Sequence, residues 1–99
     1  MDVKKVGVIG AGQMGNGIAH LLALAGFNVV LNDISQQALD SALSLIQKNL
    51  ARQASRGKIE DAEVTATMDR ISTTLTLADL GQTDLVIEAA TEREAVKQA

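Results

Sequence analysis

A chain of 99 residues, 46% hydrophobic and 21% charged, has room for one globular domain and is too apolar to be a disordered segment. A net charge of −3 and a single aromatic residue, Phe27, argue against a basic, base-stacking nucleic-acid surface. The absence of cysteine excludes disulfides and thiolate chemistry, and with one histidine it argues against a zinc site.

Residues 4–9 read as a first strand, in which Val6, Val8 and Ile9 suit a parallel strand buried on both faces. Glycines at positions 10, 12 and 15 follow, the G-x-G-x-x-G spacing in a strand–turn–helix setting. Each has its own task. Gly10 lets the chain leave the strand in a tight turn, Gly12 lets a pyrophosphate approach the backbone, and Gly15 lets the new helix lie against the strand. That helix, residues 13–25, would aim its open amides and positive dipole end at the phosphates. Ile18, Leu21, Leu22 and Ala25 fall at i, i+3, i+4 and i+7 and predict its apolar face. On spacing, Met14 reads as core filler, with a cofactor-facing side chain as the alternative. His20 lies off the apolar face and reads as a solvated or hydrogen-bonded histidine rather than a catalytic one. The apolar run from Ile18 to Ala25 is too short to span a bilayer and lacks a signal-peptide context, so a cytoplasmic location is expected.

A second strand, 28–32, leads to Asp33, 23 positions after Gly10. This is where a carboxylate would accept hydrogen bonds from an adenosine ribose; the plain alternative is a helix cap. Ser35 is the predicted N-cap of a long helix from about 36 to 55, with Leu39, Ala42, Leu43, Ile46 and Leu50 as its buried stripe. The far end is basic, with Lys48, Arg52, Arg56 and Lys58, which serves either dipole complementation or as a landing site for a phosphorylated ligand. Gly57 ends the helix. Residues 60–69 read as a short charged helix with Ile59, Val64 and Met68 as contacts, residues 71–75 as a third strand and 77–80 as one helical turn. Residues 84–88 read as a fourth strand with a buried centre, and a last helix is expected from Thr91 or Glu92.

Strands alternating with helices predict an α/β doubly wound parallel sheet of order 3-2-1-4, with ligand across the C-terminal strand ends. A complete domain of this kind has two more strands, so the 99 residues are expected to be part of a longer enzyme, with an unpaired edge on strand four.

The stretch Val6-Gly7-Val8-Ile9-Gly10-Ala11-Gly12-Gln13-Met14-Gly15-Asn16-Gly17-Ile18-Ala19 resembles the N-terminus of the 3-hydroxyacyl-CoA dehydrogenase family. Gly26 to Asp33, Arg56-Gly57-Lys58-Ile59 and Asp84 to Glu92 agree with it, and the similarity runs the length of the chain. The long helix after strand two adds support, because most Rossmann domains lack such an insertion. The resemblance implies a Rossmann-type NAD-binding portion of an enzyme that interconverts 3-hydroxyacyl-CoA and 3-oxoacyl-CoA with NAD. It implies cofactor contacts at Gly10, Ala11, Gly12, Gln13, Met14, Gly15 and Asp33, with Glu92 and Lys97 near the nicotinamide. It also implies approach of CoA to Asn49 and Arg56, Asn49 being the looser match. The family's catalytic serine, histidine, glutamate and asparagine match nothing in this chain, nor does its helical dimerisation domain, so no residue here is assigned a catalytic role and a homodimer would form elsewhere. Two other readings stand beside this one: a 6-phosphogluconate-type β-hydroxyacid dehydrogenase, against which Asp33 without a neighbouring arginine counts, and a non-catalytic nucleotide-sensing module.

Overall fold

The structure, a computed structural model, describes residues 3–89. Among these residues, four strands form one parallel sheet: β1 (Lys5–Ile9), β2 (Asn28–Asn32), β3 (Ile71–Thr74) and β4 (Leu85–Glu88), in spatial order β3-β2-β1-β4. This is the predicted order. Pairing brings the last residues of all four strands level: Ile9 faces Asn32 and Glu88, and Asn32 faces Thr74. Every strand therefore delivers its following loop to the same edge of the sheet.

Three α-helices connect the strands: α1 (Gln13–Leu24) between β1 and β2, then α2 (Gln36–Ser55) and α3 (Asp61–Asp69) between β2 and β3. A 3₁₀ segment, Leu77–Gln82, precedes β4. The Ser35 hydroxyl accepts a bond from the Ala38 amide at 3.2 Å and starts α2 as predicted. Glu60 and Glu63 form a reciprocal capping box at the start of α3. The core joins Val6, Val8, Val29 and Leu31 of the sheet to Leu39, Ala42, Ile46 and Leu50 of α2. Leu43, expected in the same stripe, is only partly buried.

Two packing expectations are corrected. α1 buries Gly15, Asn16, Ala19 and Ala23, whereas Leu21 is 70% exposed. The helix is drawn against the sheet at Gly15, so the face with the smallest side chains turns inward and the larger Ile18 and Leu22 pack at its flank. β4 does not have a buried centre: Leu85 and Val86 are both nearly half exposed. Among the described residues β4 pairs only with β1, so it is an edge strand here. The expected last helix lies outside the described residues.

Asp84 ties the start of β4 to the start of β1. One oxygen of its carboxylate accepts the Lys4 and Lys5 amides at 2.9 and 3.0 Å. Those two amides hold its pKa below the ordinary aspartate range.

Candidate functional site

The site begins where β1 ends. Gly10 has φ +101°, a conformation that L side chains rarely adopt, and it turns the chain out of the strand. Its amide still donates to the Asn32 carbonyl at 2.7 Å, which keeps the turn attached to β2. Gly12 is the N-cap of α1, and Gly15 lies in the helix's first turn. A Cβ built on Gly15 would stand 1.6 Å from the Gly10 carbonyl oxygen, a distance at which no side chain fits. Helix and turn are thus in direct backbone contact, as the glycine spacing predicts.

The first helical bond runs from the Asn16 amide to the Gly12 carbonyl at 2.9 Å. The amides of Gln13, Met14 and Gly15 precede that ladder, so helix geometry leaves them without an intrahelical acceptor. They sit at the positive end of the α1 dipole, with Gln13 and Met14 exposed. Met14 is 45% exposed, so it is not core filler. The helix turns it away from the sheet, whose contact is made by Gly15.

Asp33 stands beside this turn. Its Oδ2 accepts the Ala11 amide at 2.9 Å and its Oδ1 accepts the Ser35 amide at 3.0 Å. The carboxylate is therefore both oriented and only half-buried, and each oxygen retains acceptor capacity toward a further donor. The Ala11 amide, within the turn, is thereby directed to Asp33. Sequence spacing placed the acid but held no signal for this bond.

The other candidates lie apart from this constellation. Asn49 is half-buried on α2 and Arg56 is exposed at its C-cap, two turns further on. At 1.5 Å per residue, Arg56 is about 30 Å along the helix from its start beside Asp33. Lys48, Arg52 and Lys58 are exposed, and Lys58 shares a hollow with the carboxylates of Glu60, Asp61 and Glu63. Among the described residues, Lys48, Arg52, Arg56 and Lys58 make no ion pair. His20 is half-buried on α1, and its Nε2 is 3.3 Å from Gln53 Oε1 on α2, the hydrogen-bonded role expected of it. Glu92 and Lys97 lie outside the described residues. No cluster of three or more metal-ligating side chains occurs among those described.

A glycine turn in backbone contact with a helix, open amides at that helix's N-terminus and an oriented carboxylate at the end of β2 together define a Rossmann-type dinucleotide-binding domain. Residues 5–99 match the family model for the 3-hydroxyacyl-CoA dehydrogenase NAD binding domain, and the chain belongs to that family. Its cofactor is NAD. Among similar proteins, the 3-hydroxybutyryl-CoA dehydrogenase of Bradyrhizobium diazoefficiens is 55% identical over 96 residues, covering 97% of this chain and 33% of that protein. The fatty acid oxidation complex subunit alpha of Psychrobacter cryohalolentis is 40% identical over 98 residues, covering 99% of this chain and 14% of that protein. The crystal structure of 3-hydroxybutyryl-CoA dehydrogenase from Escherichia coli K12 superposes with a TM-score of 0.90 at 41% identity, covering 99% of this chain and 21% of that one. The chain thus spans a third or less of the length of these relatives.

Proposed function

We propose that this chain is the N-terminal part of the NAD-binding domain of an oxidoreductase interconverting (S)-3-hydroxyacyl-CoA and 3-oxoacyl-CoA in fatty-acid or butanoate metabolism. The four-carbon 3-hydroxybutyryl-CoA is the first substrate to test, because the relative at 55% identity carries that name. The observation that carries the cofactor half is the Ala11–Asp33 bond, which holds a carboxylate beside the glycine turn and the first amides of α1. When bound, NAD supplies the hydride acceptor; the residues of this chain bind and orient it.

In this reading the turn Gly10–Gly15 receives the pyrophosphate. The amides of Gln13 and Met14 are the donors best placed by helix geometry, and Gly12 keeps the approach clear. Asp33 accepts the adenosine ribose hydroxyls, and its charge opposes a 2′-phosphate, so NAD is favoured over NADP. Glu92 and Lys97 serve the nicotinamide end, Asn49 and Arg56 the CoA moiety. The residues that take the hydroxyl proton belong to chain beyond these 99 residues, as does a homodimer interface. A cytoplasmic location accompanies the reading; no described helix is long and apolar enough to cross a membrane.

The test uses full-length protein. NADH-linked reduction of acetoacetyl-CoA is expected, with NADP(H) a poor substitute. Arg56→Ala should raise KM for the acyl-CoA while leaving the NAD dissociation constant unchanged. No turnover of 3-oxoacyl-CoA by the intact protein, or equal use of NADP(H), would remove the proposal.

A further inference from the structure

Asn32 is the last residue of β2 and is only 3% exposed. A buried primary amide in the middle of a sheet is costly unless it is bonded, and an aliphatic side chain would fill that position more cheaply. Its Nδ2 donates to the Thr74 carbonyl of β3 at 3.1 Å. The same carbonyl accepts the Asp33 amide at 3.3 Å, a long bond by itself. On its other side, the Asn32 carbonyl accepts the Gly10 amide at 2.7 Å. One residue therefore holds the glycine turn through its backbone and steadies, through its side chain, the β3 carbonyl on which Asp33 hangs.

We infer that Asn32 is a positioning residue for the cofactor: its amide locks the β2–β3 junction so that the Asp33 carboxylate meets the ribose already oriented. Asn32 does not itself touch the ligand. Its effect passes through Asp33, whose carboxylate is then set by Ala11 and Ser35. This inference rests on the reading of Asp33 as the ribose-binding acid. Pre-orientation of this kind strengthens binding by removing the cost of ordering the group at the moment of contact.

The experiment is calorimetric titration of full-length protein with NAD, comparing wild type, Asn32→Leu, Asp33→Ala and the double variant. Asn32→Leu should weaken NAD binding by about five- to tenfold, the worth of one lost hydrogen bond. In the Asp33→Ala background the same change should make no further difference, since the group it positions is gone. Val29→Ala opens a cavity three residues earlier in the same strand, and should lower thermal stability without moving NAD affinity. A merely structural Asn32 would instead weaken binding equally in both backgrounds, which overturns the inference, as does unchanged affinity in Asn32→Leu. Asp33→Ala binding NAD as tightly as wild type would overturn the ribose reading and the inference together, whereas a weakened Asp33→Ala beside an unaffected Asn32→Leu overturns the inference alone. If Asn32→Leu does not fold, Asn32→Ala, which removes the donor without adding bulk, takes its place with the same expected pattern.

Discussion

Replacing Gly15 with alanine puts the glycine-turn geometry to its sharpest test. The new Cβ would fall 1.6 Å from the Gly10 oxygen and 2.8 Å from the Gly10 carbonyl carbon. Restoring an ordinary van der Waals separation requires moving helix and turn apart by roughly 1.5–2 Å, about the scale of a carbon–carbon contact deficit. The obstacle is backbone, so no rotamer change relieves it. Overpacking against flexible side chains costs about 1–3 kcal/mol, and a backbone clash belongs at or above the top of that range. The displacement also carries the amides of Gln13 and Met14 away from the proposed phosphate position, and shifts near 1 Å in a binding constellation cost on the order of 100-fold. Gly15→Ala should therefore lower the urea midpoint strongly and weaken NAD binding by at least tenfold, measured by equilibrium unfolding and calorimetry on full-length protein. Gly17→Ala is the paired control. It lies two residues on in the same helix, and a Cβ there meets nothing within 4 Å. It should stabilise by about 0.5–1 kcal/mol, the difference in helix propensity. A Gly15→Ala protein of wild-type stability that binds NAD normally would refute the close-contact argument.

Three further outcomes follow from other parts of the molecule. Thr67 is buried in α3 and its Oγ1 has no hydrogen-bond partner, so Thr67→Val should raise stability by roughly 1 kcal/mol in chemical denaturation; a loss would mean that the hydroxyl is satisfied after all. Ser35→Ala removes the α2 cap and should cost about 0.5–2 kcal/mol, read from the same unfolding curves. Asp84 is held below the ordinary aspartate range, so its contribution is complete above the unfolded value of about 3.9 and is lost as pH falls through the lower folded value. Thermal melts across the acid range should show Asp84→Ala to be less stable than wild type at neutral pH, with the gap closing below pH about 4; a gap that persists at low pH would remove the charge from the explanation.

Much of the candidate site was legible because its parts are local. Three glycines at fixed spacing after an apolar run, and an acid at the end of the next run, define a turn and a partner without any knowledge of packing. The strand limits of β2 and the full span of α2 also follow from periodicity and one capping serine. Periodicity misled where contact distance outweighed hydrophobicity. Along α1 it selects Ile18, Leu21, Leu22 and Ala25, yet a helix pressed against backbone at Gly15 can bury only small residues there, so Ala19 and Ala23 are inside and Leu21 is not. In β4 an apolar run reads as buried, but burial of an edge strand depends on what covers it, which a run of residues cannot state.

By itself the chain of residue types determined the order of elements, the tight turn at Gly10 and the helix that opens directly after it, because each depends on neighbours within one or two turns. Tertiary structure decided the rest. It brought Asp33 to the Ala11 amide across 22 positions and seated a buried asparagine of β2 between the ends of β1 and β3. Those choices depend on strand register, and register is set by the whole sheet closing on its core rather than by any local preference.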